Sequence, residues 1–136
     1  MAGAPIEVLQ KVPLFAELGP EDLAEVARAF KKREFSAGET VTKEGSGGAA
    51  FFLIESGEAQ VTVKGHARPP LSAGAHFGEV ALIDGQERSA TITASSDLVC
   101  YGLTYWDFQP LVHGNAAIAW GLLLAMAKLL RAAQSD

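Results

Sequence analysis

In the stretch FGEVALIDGQERSATITA, residues 77–94, Glu79 and Arg88 stand nine positions apart. Glycine at 78 lets a ligand approach the backbone with no Cβ in the way. Val80-Ala81-Leu82-Ile83 predicts one short helical turn, closed by Asp84-Gly85. The first turn of a helix carries free amides and the positive end of its dipole, which favour anions. Glu79 suits that end, and its carboxylate only accepts hydrogen bonds, so it fits hydroxyl groups better than phosphate. Arg88 supplies a planar, permanently charged fork suited to a phosphate. Ser89 adds a hydroxyl, the Ala90 amide adds a donor, and both side chains are small. A ligand joining a phosphate to a vicinal hydroxyl, a ribose phosphate, satisfies both ends. The competing reading is a solvated turn in which Arg88 pairs with Glu87 or Asp84 and Glu79 only starts a helix; such surface pairs are common and weak.

Other chemistries find less support. His66, His76 and His113 are scattered and lack metal-ligand spacing, so no metal and no cofactor is expected. No Gly-x-Ser-x-Gly and no Cys/His pair suggests nucleophilic catalysis, and the chain is not expected to be an enzyme. Cys100 lies in the apolar run LVCYGL and reads as a small core residue, consistent with a reducing compartment.

The elements that must position residues 77–91 form a strand-rich middle between helical ends. Gly19-Pro20-Glu21-Asp22 reads as a helix start, and Leu23, Val26, Ala27 and Phe30 recur at helical spacing. Before it, Ile6, Leu9 and Val12-Pro13-Leu14-Phe15 predict a short helix and a packed turn. From Phe35 the character changes. Turn residues punctuate the chain at Ser36-Ala37-Gly38, Gly45-Ser46-Gly47-Gly48, Ser56-Gly57, Pro69-Pro70, Gly74 and Asp84-Gly85. Between them, residues 40–43, 51–54, 59–64, 89–94 and 98–103 read as strands. Residues 54–59 read as the turn of a hairpin. Thr104 is placed to cap a helix through Leu111, and Asn115 to cap a second one reaching about Ala133. The run from Ala116 to Ala127 is apolar on every face, so this helix is expected to be covered on more than one side. Trp106 is expected to pack near the barrel.

Size and charge bound the function. A chain of 136 residues, 49% apolar, is long enough for one domain with a real core. Its formal charge of −5 and the lack of a basic block argue against nonspecific nucleic-acid binding. The N-terminus lacks a signal-peptide pattern, and the apolar run near the C-terminus is shorter than the roughly 20 residues a bilayer span needs. A cytoplasmic location and no membrane span are the expectation.

Phe77-Gly78-Glu79-x-Ala81-Leu82-Ile83 followed by Arg88-Ser89-Ala90-Thr91 resembles the phosphate-binding cassette of cyclic nucleotide-binding domains. These are the domains of the catabolite activator protein, the protein kinase A regulatory subunit and cyclic nucleotide-gated channels. The resemblance covers nearly the whole chain. Val12-Pro13-Leu14-Phe15, Gly45, Phe51-Phe52-Leu53-Ile54-x-x-Gly57-x-Ala59-x-Val61, Leu71-x-x-Gly74 and Asp107-Phe108 each resemble a family segment. Ser46-Gly47-Gly48 departs from it, standing where the family often has an acid.

The resemblance implies a fold that is mostly β with flanking helices (α+β): an eight-stranded β-roll or jelly roll with N-terminal helices and a C-terminal helix pair. It implies one domain over 1–136, with N-terminal helices in 1–34, the roll in 35–103, the cassette in 77–91 and C-terminal helices in 104–133. It implies a ligand-binding set of Phe77, Gly78, Glu79, Val80, Ala81, Arg88, Ser89 and Ala90. Glu79 would bind the ribose 2′-hydroxyl, Arg88 the cyclic phosphate, and the amides of Gly78 and Ala90 would complete the cradle. In the family, threonine after the arginine tends to help guanine; Ser89 is uninformative between the bases, and cAMP over cGMP is the expectation. The function expected is a regulatory sensor in signal transduction, with ligand shifting the C-terminal helix. Trp120 would either cap the purine or pack in a core or interface. The alternatives are an interaction or oligomerisation module that has lost the ligand, or a regulatory fragment of a larger channel, enzyme or transcription factor. The apolar C-terminal helix suggests a homodimer or an effector protein as partner. With no helix-turn-helix before residue 136, DNA binding by this chain is not expected.

Overall fold

The alternation and turn punctuation of the middle of the chain resolve into two four-stranded antiparallel sheets in the computed structural model, which describes residues 3–45, 50–86 and 90–135. The strands are β1 (Lys31–Phe35), β2 (Thr40–Thr42), β3 (Ala50–Ser56), β4 (Ala59–Val63), β5 (His66–Leu71), β6 (His76–Phe77), β7 (Thr91–Ala94) and β8 (Leu98–Thr104). One sheet runs β1-β8-β3-β6, the other β2-β7-β4-β5. A short helix, α3 (Glu79–Asp84), joins β6 to β7. This is the expected eight-stranded jelly roll with flanking helices.

The chain forms two compact units, the roll over Lys31–Tyr105 and a helical unit made of the residues before and after it. Inside the roll, Phe35, Phe52, Ile54, Ala59, Ile92, Ala94, Leu98 and Cys100 form one buried cluster, and Phe77 and Ala90 pack against it. Cys100 is a core residue, and burial pushes its thiol up to about 11. Phe52 is the hinge of the cluster. Its ring meets Phe35 edge-on at 6.4 Å and stacks on Phe77 at 5.3 Å. Such pairs add about 0.5–1.5 kcal/mol each beyond the area they bury. The second contact ties the core to the segment of interest.

Three expectations are corrected. Residues 54–59 are not a hairpin turn, because β3 and β4 lie in different sheets. The chain passes from one sheet to the other at Gly57, whose φ is 95° and whose added Cβ would fall 2.2 Å from the Asp97 carbonyl oxygen. Lys31–Phe35 is a strand, not the tail of the N-terminal helices. It is an edge strand with four exposed, charged residues, so it lacks the alternation that marks a half-buried strand. Pro69-Pro70 is not a turn but part of β5, another edge strand. The pairs Val61↔Arg68 and Ala59↔Leu71 leave the two prolines opposite Gln60 in a bulge, where their missing N–H groups cost no ladder bond.

The helical unit contains α1 (Ile6–Leu9), a 3-10 turn (Pro13–Phe15), α2 (Pro20–Ala29), α4 (Tyr105–Gly114) and α5 (Ala116–Gln134). Phe15 is fully buried and meets Phe30 and Phe108 edge-on, at 6.2 and 6.3 Å. Asn115 caps α5 as expected, accepting from the amides of Ala117 and Ile118. Its Nδ2 also donates to Asp22 and Glu25 on α2, at 2.9 and 3.2 Å. Lys128 Nζ meets Glu17 Oε2 at 2.6 Å.

Only one stripe of α5 is buried: Ile118, Gly121, Leu122 and Ala125. Coverage on more than one side is therefore not found. Trp120, Leu123 and Leu130 are 62, 58 and 60% exposed, and Trp106 is 71% exposed. The helix also runs to 19 residues, beyond its purely apolar run. By length and composition alone it meets the requirement for crossing a membrane, with a mean hydropathy of 1.6. That is weak evidence of a span for a helix already capped and ion-paired to its own unit.

Asn115→Ala removes both the cap and the tie to α2. It is expected to lower stability by about 0.5–2 kcal/mol, the range for a lost cap, read as a lower midpoint in urea denaturation.

Candidate functional site

Phe77 ends β6, held in the sheet by its pairing with Phe52. The next residue turns the chain. Gly78 has φ 94° and ψ 14°, a left-handed conformation, and is the N-cap of α3. A Cβ there would lie 2.2 Å from the Ala50 carbonyl oxygen and 3.2 Å from the Phe51 Cα. Two constraints thus demand glycine: the backbone angle and the contact with β3. The first bond of α3 runs from the Leu82 amide to the Gly78 carbonyl at 3.0 Å. Leu82 is fully buried and anchors the helix, leaving Val80 exposed. Gly85 closes α3, and the Asp84 carboxylate accepts from the Gln86 amide at 2.9 Å.

The other wall comes from β2 and β7. Ile92 is buried there, and Thr42, the buried polar residue among those described, donates its hydroxyl to the Ala90 carbonyl at 3.1 Å. The Glu44 amide donates to Thr91 Oγ1 at 3.0 Å, and the Lys64 amide to Glu44 Oε1 at 2.9 Å. These bonds tie together the ends of β2, β4 and β7.

Between the walls lies a cavity of about 310 Å³, lined by Thr42, Phe77–Ala81, Asp84, Gln86, Ala90 and Ile92. That volume is at the lower end of small-molecule sites. Of the residues expected from the sequence, Phe77, Gly78, Glu79, Val80, Ala81 and Ala90 meet here. Arg88 and Ser89 lie outside the described residues. Trp120 stands exposed on α5. Thr42, Asp84, Gln86 and Ile92 were not expected. Ile92 was signalled, since it shares a strand face with Ala90 at period two. Thr42 was not, because its place depends on the pairing of β2 with β7 across about fifty residues of chain.

Glu79 carries the described charge best placed for chemistry. His76 Nδ1 lies 3.2 Å from its Oε2, at ion-pair distance. The imidazole, with help from the Glu79 backbone amide, holds the carboxyl below its ordinary value, although burial opposes this. Glu79 is therefore an ionised acceptor at neutral pH, half-buried at the cavity wall.

Residues 32–115 match the model of the cyclic nucleotide-binding domain. A cAMP-dependent protein kinase regulatory subunit from Emericella nidulans is 41% identical over 92 residues, 66% of this chain and 22% of that protein. A cyclic nucleotide-gated potassium channel from Mesorhizobium japonicum is 36% identical over 113 residues, 83% of this chain and 31% of the channel. The chain thus matches less than a third of these relatives' lengths. Among solved structures, the N-terminal domain of a transcriptional regulator from Streptomyces coelicolor A3(2) superposes with a TM-score of 0.86 at 27% identity, covering 95% of this chain and 96% of that one.

Gly78→Ala must leave the left-handed region and push against the Ala50 carbonyl. It is expected to cost at least about 1–3 kcal/mol, the usual penalty of such strain, measured by urea denaturation. Glu79 adds a pH signature. A carboxyl depressed in the folded state contributes stability that is present above its ordinary value of 4.5 and is lost as pH falls through the depressed value. The stability gap between wild type and Glu79→Gln should therefore narrow as the pH is stepped below 4.5.

Proposed function

This chain belongs to the cyclic nucleotide-binding domain family, and we propose that it is a cAMP sensor whose ligand occupies the cavity beside α3. Domains of this family are regulatory, and the reading assigns the chain no catalysis. The observation that carries it is the meeting of a left-handed Gly78, an ionised Glu79 and Ala90 around one cavity of nucleotide-compatible size. In this reading Glu79 accepts from the ribose 2′-hydroxyl and Arg88 forks onto the cyclic phosphate. The amides of Gly78 and Ala90 complete the cradle. Ser89 after the arginine does not distinguish the bases; a relative named as a cAMP-dependent kinase subunit supports cAMP. Residues 1–136 act as one domain, in the cytoplasm, where reduced Cys100 fits.

Ligand would shift α5, and it can do so only by binding one arrangement of that helix more tightly than another. The exposed apolar stripe through Trp120, Leu123 and Leu130 supports a partner on α5, either a second copy or an effector protein. It also keeps in view the second reading, an interaction module of the same fold. The larger protein such a module serves would be a channel, an enzyme or a transcription factor, as among the relatives.

Calorimetric titration with cAMP and with cGMP tests the reading directly: tighter binding of cAMP is expected, and no heat with either would overturn it. Removing one partner of a buried charged pair costs on the order of 2–5 kcal/mol. Arg88→Ala is therefore expected to weaken cAMP binding at least about thirtyfold. Trp120→Ala separates two roles. A purine cap loses about fivefold or more in affinity, since a base stack is worth roughly 1–3 kcal/mol; a packing residue leaves affinity unchanged.

A further inference from the structure

His76 adjoins the cavity-lining segment Phe77–Ala81 and is a polar side chain that the proposed contacts leave unused. It sits on β6, directly before Phe77-Gly78-Glu79, with its ring tilted 30° over Phe51 at 5.6 Å. Its Nδ1 is buried and has no aligned hydrogen-bond partner, yet Glu79 Oε2 is 3.2 Å away. A buried nitrogen left without a partner is costly, and natural structures rarely tolerate one without a reason.

The proton state of the ring decides what this contact does. With a lone pair on Nδ1, two electron-rich atoms oppose each other. With a proton there, a donor faces an acceptor. In the imidazolium the contact becomes charge-assisted and roughly twice as strong as a neutral one. A proton at Nδ1 draws the carboxylate toward the ring and so biases its orientation at the cavity wall. The carboxylate facing it is Glu79, and Asp84 lines the same cavity from α3. An anionic ligand approaching this wall meets carboxylates, and an imidazolium would offset them.

We infer that His76 is a positioning residue: it orients the Glu79 carboxylate toward the ligand, and its protonation couples nucleotide affinity to pH. This rests on the proposed cyclic nucleotide site. By linkage, a proton on the ring that strengthens binding makes affinity rise as pH falls. The gain ends where Glu79 itself takes up a proton.

The test is calorimetry of cAMP between about pH 8 and about pH 6, near and above the ordinary imidazole range. Wild type should bind about fivefold or more tightly at the lower pH, a difference near 1 kcal/mol by the usual conversion. His76→Gln keeps a donor but cannot titrate, so its affinity should be flat with pH. His76→Phe should be flat and weaker throughout. His66→Gln, at an exposed position on β5, should keep the wild-type slope. A wild type without slope, or a slope surviving in His76→Gln, overturns the inference. In the free protein, 15N NMR should show a proton on His76 Nδ1 whose signal moves in Glu79→Gln. An unmoved signal overturns the positioning contact even if no cyclic nucleotide binds, while a blank calorimetric trace overturns the site reading and the affinity coupling with it.

Discussion

The Ala50 carbonyl oxygen and the α-carbon of Gly78 stand too close for any side chain to come between them, and the cavity depends on that approach. It brings the start of α3 against β3, and β3 is buried on both faces. Phe77, one residue earlier, is locked by its stack on Phe52, so the turn has a rigid foundation on its strand side. Leu82, one helical turn later, is fully buried and fixes the other end. Between those anchors Glu79 has little freedom of backbone, and its carboxylate is set by geometry before any ligand arrives. Preorganisation of this kind lowers the ordering cost of binding.

The sequence was most legible where local chemistry decides conformation. Asn115 as a cap, Gly85 as the end of α3, and Pro20 at the start of α2 each act over a few residues and lie where their types predict. The cavity set in 77–81 and 90 was legible for the same reason, since glycine, acid and small residues at fixed spacing make a local pattern. Failures came where the answer lies in a partner strand. Nothing in Lys31-Lys32-Arg33-Glu34-Phe35 signals a strand until its pairing with β8 is known. Gly57 announces a turn, but only tertiary packing against Asp97 and Leu98 makes it a crossing between sheets rather than a hairpin. Thr42 belongs to the same class, joined to Ala90 by a bond spanning 48 residues.

The helical unit obeys a different logic. A mixed apolar run does not say which face will be buried, because every face is a candidate. The buried stripe is Ile118, Gly121, Leu122 and Ala125. At Gly121 the helix comes so near Leu18 that an added Cβ would lie 2.6 Å from its Cδ2, so the small residue suits this face to close packing. The bonds of Asn115 to Asp22 and Glu25 and of Lys128 to Glu17 accompany that rotation. Trp120, Leu123 and Leu130 are left exposed.

Charge sets the remaining constraint. The chain carries a net −5, and the described ionisable groups lining the cavity are Glu79 and Asp84. At an effective dielectric of 20, two unit charges about 4 Å apart interact by about 4 kcal/mol. An anion cannot be attracted here by the protein as a whole; it must be held by cations and amides within one or two contacts. Arg88 is charged at every physiological pH, so it can supply affinity but not regulation by protons. An imidazole is the side chain whose charge changes in that range. In the proposed reading, a site built from acids, one permanent cation and one conditional cation would have both a fixed and an adjustable share of its attraction for an anion, and the adjustable share would fall on His76, beside the Glu79 carboxylate.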